Sequence, residues 1–220
     1  MKIYAMSDMH GCIEEFEKSL SLVDLDSYDT MLVLLGDYIH GHDSYAVLDR
    51  VMGLEQKYGR DKIVALMGNH EEAVLFGADK ISDYDDVDRT DRDDDIYLKW
   101  MEKLRLYYRT EMQIFVHAGI DETAGEDWEY GTPDHVFTGK YPLTMGQFYM
   151  DIISGHTGTA AITGDEDYYD IYYDGKSHYF IDGSVLKGGR IPVLMVDTDA
   201  QKYYRVSVEG VSPIFNGEPE

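Results

Sequence analysis

The run Thr30-Met31-Leu32-Val33-Leu34-Leu35 constrains the fold more than any other stretch of this chain. It is long enough for a strand and too short for a helix, and Gly36-Asp37 ends it. Neither of its faces is suited to water, so the strand must be covered on both sides, the condition of a central strand in a layered α/β sheet. Residues 2–6 and 62–65 also read as strands, and stretches of helical periodicity separate the three. Ile13, Phe16, Leu20 and Val23 recur at helical spacing over 12–23. Tyr45, Val47, Leu48, Val51 and Leu54 do so over 44–58, with Gly59 placed to end that helix. A β-α-β-α-β-α order predicts a layered α/β fold.

The pattern breaks at 79–95, which holds nine Asp and little to bury. Its composition predicts an acidic, solvated surface insertion, and it lacks the glycine and terminal Glu of an EF-hand calcium loop. Helical spacing returns over 96–106 with Ile96, Trp100 and Leu104. Beyond Arg109 the chain turns to strands, expected at 112–116, 151–154, 169–173, 177–181, 191–196 and 203–208. Asp174-Gly175 marks a hairpin between two of them. No linker or repeat divides the chain, so residues 1–212 are expected to form one domain, with 213–220 a loose tail.

Charge narrows the function. There are 19 Lys plus Arg against 43 Asp plus Glu, a formal net charge of -24. Such a surface argues against nucleic acid or an anionic membrane as partner, and a phosphate substrate would need local positive charge such as bound metal. Cys12 is the only cysteine, so no intrachain disulfide forms and a reducing compartment is expected. No apolar segment approaches the ~20 residues of a membrane helix. Residues 1–6 are too short for a signal peptide and run directly into Ser7-Asp8, so a cytoplasmic location is expected.

The polar residues at the strand ends carry the chemistry. Asp8, His10, Asp37, Asn69, His70, His117 and His156 each follow an apolar run. Open α/β sheets place their sites at the carboxyl ends of strands. Carboxylate, amide and imidazole donors gathered there suit borderline divalent metals, and two such ions ~3.5–4 Å apart can activate water and clamp phosphoryl oxygens.

Asp8-Met9-His10-Gly11, Gly36-Asp37, Gly68-Asn69-His70-Glu71, His117-Ala118-Gly119 and Gly155-His156-Thr157 resemble, in order, the five blocks of the calcineurin-like metallophosphoesterases. Gly11, Glu71 and the His117-Ala118-Gly119 form point to the branch of phosphoprotein phosphatases and bacterial symmetrical diadenosine tetraphosphate hydrolases. Phe180-Ile181-Asp182-Gly183-Ser184 also looks like that branch. The resemblance implies an α/β (α+β) fold, a four-layer α-β-β-α sandwich with two mixed β-sheets. It implies two divalent transition-metal ions (Mn, Fe, Zn, Co or Ni, with Mn favoured): Asp8, His10 and Asp37 on the first, and Asp37, Asn69, His117 and His156 on the second, with Asp37 bridging. His70 would protonate or stabilise the leaving oxygen while metal-activated hydroxide attacks phosphorus. Glu71, at the start of a helix, would orient the turn.

This chain departs from the branch after Asp37. The usual Gly-Asp-x-x-Asp-Arg-Gly is replaced by Gly36-Asp37-Tyr38-Ile39-His40-Gly41-His42-Asp43-Ser44, without the Asp that pairs with the acidic His or the phosphate-binding Arg. His40 or His42 is then a candidate phosphate contact, against a remodelled loop of solvated histidines. No Arg lies between the last two histidine blocks, and Lys140 is a candidate for its charge, against a surface lysine. The expected function is hydrolysis of a phosphomonoester, a phosphorylated protein or small molecule, in the manner of a serine/threonine phosphatase. The alternatives are a symmetrical dinucleoside tetraphosphate hydrolase or phosphodiesterase, and a metal-binding module without turnover. The tyrosines of 168–173 could stack a nucleobase, though aromatic residues are ordinary sheet formers.

Overall fold

The structure, a computed structural model, describes residues 1–82 and 93–214. The chain runs β1 (Lys2–Met6), α1 (Ile13–Leu20), β2 (Thr30–Leu34), α2 (Ser44–Tyr58), β3 (Ile63–Ala65), α3 (Asn69–Leu75) and α4 (Asp94–Met101). Then come β4 (Tyr107–Arg109), β5 (Gln113–Val116), α5 (Trp128–Gly131), α6 (Asp134–Gly139), β6 (Asp151–Ser154) and α7 (Thr159–Thr163). It closes with β7 (Tyr172–Tyr173), β8 (His178–Phe180), α8 (Val185–Gly188), β9 (Val193–Asp197), β10 (Lys202–Ser207) and β11 (Gly210–Ile214).

The strands form two mixed sheets, ordered β11-β10-β9-β1-β2-β3 and β4-β5-β6-β8-β7. β1, β2 and β3 run parallel, as do β5, β6 and β8, so their carboxyl ends point the same way within each sheet. Alternation along each strand sorts its side chains into layers. In β1, Ile3 and Ala5 face a core between the sheets, with Val33, Phe115, Ile153, Tyr179 and Leu194. Met6, Leu32 and Leu34 face outward onto Phe16 of α1 and Leu48 and Val51 of α2. Ile114, Val116 and Ile152 face the opposite way, onto Trp128 and Phe137. Three apolar interfaces between four layers make the α-β-β-α sandwich, and β2 is a strand covered on both faces, as its sequence requires.

Several boundaries differ from the sequence expectation. The fourth helix begins at Asp94, because the Asp93 side chain accepts the Asp95 N–H and caps it, and it ends by Met101, freeing 107–109 to pair with β5. Pro213 and Ile214, expected in a tail, lie in β11 opposite Tyr204 and Tyr203; residues 215–220 lie outside the described residues. Of the expected acidic insertion, 83–92 lie outside the described residues, but Ile81 and Ser82 are buried. An apolar side chain at 81 draws the first part of the segment back onto the domain. Tyr173, Tyr179 and Tyr203 stack in series, centroids 4.4 and 4.2 Å apart, so these rings are spent on the sheets. Among the described residues, no helix is long and apolar enough to cross a membrane.

Candidate metal centre

Each expected ligand sits just past a strand. Asp8 and His10 follow β1, Asp37 follows β2, Asn69 and His70 open α3 after β3, His117 follows β5 and His156 follows β6. The two sheets thereby bring their parallel-strand ends to one place. Reaching it requires unusual backbone: Asp8, His10, Asp37 and His156 have φ of 56°, 44°, 55° and 63°. Non-glycine residues seldom adopt this left-handed region, and such strain gathers at functional sites. The loops also approach closely. A Cβ at Gly155 would overlap Ser7 Oγ and Asp8 Oδ2, and one at Gly41 would overlap the His10 carbonyl.

Glu71 holds two of these loops together. Its buried carboxylate accepts the N–H of Asp37 (2.8 Å) and of Gly68 (3.0 Å) on Oε2, and of Tyr38 (2.8 Å) and Ile39 (3.3 Å) on Oε1. Burial and the nearby Asp37 push its carboxyl up to about 7, against those amides, which favour the charge.

Asp37 is the hub. Its Oδ2 lies 3.4 Å from His117 Nε2 and 3.9 Å from both His10 Nε2 and His70 Nε2, while Oδ1 accepts the His70 N–H at 3.1 Å. Asp8 Oδ1 lies 3.8 Å from His10 Nε2, and Asp8 Oδ2 accepts the His156 N–H at 3.0 Å. Asn69 Oδ1 stands between His117 Nε2 (3.0 Å) and His156 Nδ1 (2.8 Å).

The donor set fits divalent metal. His117 Nδ1 lies 3.0 Å from the Leu35 carbonyl, so the neutral ring keeps its proton there and turns the Nε2 lone pair toward Asp37 and Asn69 oxygens. Three acceptors meeting at one point need a cation among them, either a proton on His117 or a metal ion. His10 Nδ1 faces the Ile39 carbonyl at 3.3 Å and presents Nε2 in the same way. Separations of 3.4–3.9 Å are long for hydrogen bonds and near those of donors sharing an ion at roughly 2.1 Å. Around Asp37, two three-residue groups fall within coordinating reach, His10 with Asp37 and His70, and Asp37 with His117 and His156.

The titration pattern follows from burial and proximity. Burial raises Asp8 to about 6, relieved by His117 and reinforced by Asp37. Burial also acts to raise Asp37, but His117, His10 and His70 hold it well below the carboxylate range. Burial opposes charge on His117, yet Asp37 and Asp8 lift it to about 10. His156 falls to about 4 through burial and the His117 charge, and His70 is lowered, chiefly by burial.

The remaining expected residues are divided. The His40 ring stacks on His70 with centroids 4.3 Å apart, and His42 is exposed. Lys140 lies over Gly119, two residues past His117, but its Nζ donates to the Ile120 carbonyl at 2.6 Å and to Glu122 Oε1 at 3.0 Å. Two carboxylates at the site had no assigned role. Asp182, in the loop after β8, is buried and pushed up to about 7 by burial and Asp8. The signal for it was the strand-end position that it shares with the expected ligands. Asp79 Oδ2 lies 3.6 Å from His40 Nδ1 and 3.8 Å from His70 Nδ1. It stands opposite the ring whose usual Asp partner the sequence lacks, and composition hid it inside an acidic run.

Residues 1–182 match the calcineurin-like phosphoesterase family. The chain belongs to this family of phosphoric ester hydrolases. It is 34% identical over 128 residues to the symmetrical bis(5'-nucleosyl)-tetraphosphatase of Nitrosospira multiformis, covering 54% of this chain and 44% of that one. The match thus spans less than half the length of the relative. The fold resembles a cold-active protein-tyrosine phosphatase of Shewanella (TM-score 0.68, 18% identity, 97% of this chain and 80% of that one). It also resembles a protein serine/threonine phosphatase of Saccharomyces cerevisiae (TM-score 0.67, 12% identity, 100% and 81%).

Proposed function

We propose that this calcineurin-like phosphoesterase hydrolyses a dinucleoside polyphosphate with the help of two divalent metal ions. The substrate class is carried by the similarity to a symmetrical bis(5'-nucleosyl)-tetraphosphatase. That observation moves the weight from the phosphomonoester expected from sequence to its alternative, since the likeness to protein phosphatases is one of fold.

Asp8, His10 and Asp37 would hold one ion, and Asp37, Asn69, His117 and His156 the other, with Mn the favoured metal for this mixed oxygen and nitrogen set. When bound, the ions supply Lewis-acid activation of water and neutralise phosphoryl oxygens. The chain supplies the rest. Leu35 and Ile39 carbonyls fix the faces of His117 and His10. Glu71 keeps the Asp37 and Asn69 loops in register. His70 turns Nε2 toward the centre and can hold a proton there for the departing oxygen, general-acid work that typically contributes ~100-fold or more. His40, against His70, is the nearer candidate for the substrate's phosphates, whereas Lys140 would have to exchange Ile120 and Glu122 for that task.

The test is a panel of diadenosine tetraphosphate, p-nitrophenyl phosphate, bis-p-nitrophenyl phosphate and a phosphopeptide on Mn-reconstituted protein. The expected result is a preference for diadenosine tetraphosphate with ADP as the only product. Preference for the phosphopeptide would return the monoester reading. No turnover of any member with two ions bound would leave a binding module.

A further inference from the structure

One group of side chains beside the strand-end cradle forms a second constellation of ligands. His40 comes from the loop after β2, His70 from the first turn of α3, and Asp79 from the segment beyond that helix. One donor atom from each lies within 4.8 Å of the others. The two contacts to Asp79 Oδ2, 3.6 and 3.8 Å, both come from Nδ1 atoms. They are too long for hydrogen bonds and match the separations within the cradle itself. His40 reaches its position with φ at 73°, a left-handed backbone that brings its ring onto His70 at an interplanar angle of 23°. The side chains of His40, His70 and Asp79 keep 38%, 23% and 24% of their surface exposed, so an ion can arrive from solvent.

We propose that His40, His70 and Asp79 form a third divalent-ion site, separate from the cradle, that takes a zinc-class ion. Two imidazoles and one carboxylate are a zinc-type ligand set. Two of this site's three donors are imidazoles, which suit Zn, Ni or Cu better than Mn. The Asp79 carboxylate offsets part of the repulsion from ions in the cradle, and a chain of net charge -24 draws cations to its surface.

The consequence for turnover rests on the proposed role of His70. A zinc ion on Nδ1 would tie that ring to His40 and Asp79, and its Nε2 could no longer move to meet a leaving oxygen. Zinc thus acts as a brake on the Mn-loaded enzyme.

Metal-free full-length protein is dialysed against zinc alone and the bound metal counted. The wild type should retain three equivalents, and Asp79→Ala and His40→Ala two each. Equal zinc in the wild type and both variants overturns the site. Asp37→Ala separates this question from the cradle: if it keeps the full complement the cradle reading fails, while the count in the Asp79 and His40 variants still decides the third site. In kinetics, zinc should lower kcat of the Mn-loaded wild type, and Asp79→Ala should need about tenfold more zinc for the same inhibition. Equal zinc sensitivity would assign the inhibition to exchange in the cradle and overturn the brake.

Discussion

Asp37 is shared by more of the centre than any other side chain, with three imidazoles around Oδ2 and the His70 N–H on Oδ1. Asp37→Ala should therefore lower metal content at both proposed sites, and metal analysis showing two retained ions would remove its bridging role. The His70 side chain is not among the proposed ligands of the two cradle ions, so His70→Asn should cut kcat by about 100-fold while the Mn content of the cradle stays intact. Unchanged turnover would exclude it from the chemistry. These residues were legible because each closes an apolar run with a short polar motif. Asp79 was not. One Asp among nine carries no local mark of folding back onto two histidines, and the buried Ile81 that accompanies that return acquires meaning only once the core is formed.

At the scale of elements, the turn from β3 into α3 does two jobs with adjacent residues. Asn69 faces His117 and His156, whereas Glu71 turns inward to four backbone amides from two loops. Glu71→Gln exchanges one acceptor oxygen for an amide donor facing N–H groups. The substitution should cost about 2 kcal/mol or more, read as a Tm lower by about 4–8 °C in metal-free protein. An unchanged Tm would show that the loops hold without it. The start of the fourth helix teaches the complementary lesson. Apolar spacing places it at Ile96, but a capping Asp93 side chain begins it two residues earlier, because helix ends are set by unpaired amides rather than by the buried face.

At the scale of the molecule, the sheets are tied across their shared core by polar contacts at its rim. The Tyr203 hydroxyl donates to Asp151 of β6 and accepts from Gln113 Nε2 at 2.9 Å. On the far side of the second sheet, Glu122 Oε1 lies 3.0 Å from Lys140 Nζ and 3.3 Å from His178 Nε2. Burial acts to raise the Glu122 carboxyl, but His178 and Lys140 outweigh it and hold it below its ordinary 4.5. A carboxyl lowered in the folded state adds stability above its unfolded pKa and loses it as pH falls through the lower folded value. Glu122→Gln should thus reduce stability at neutral pH by about 1 kcal/mol, some ~2–4 °C in Tm, with the difference vanishing in acid. A pH-independent difference would assign the effect to packing.

By itself the sequence determined the layered α/β plan, the strand ends that carry the expected ligands, and the family, because apolar periodicity and short strand-end motifs are local properties. Tertiary structure alone decided which of those ends converge, since that depends on the parallel pairing of strands far apart in the chain. It also decided that Asp79 faces His40 and His70, that Lys140 is held by Glu122, and that β11 extends the first sheet through Pro213 and Ile214. Each of these is a contact between residues whose own neighbours in sequence say nothing about the partner. The reason is physical: charge and hydrogen bonding act through space, and only the packed layers fix the distances.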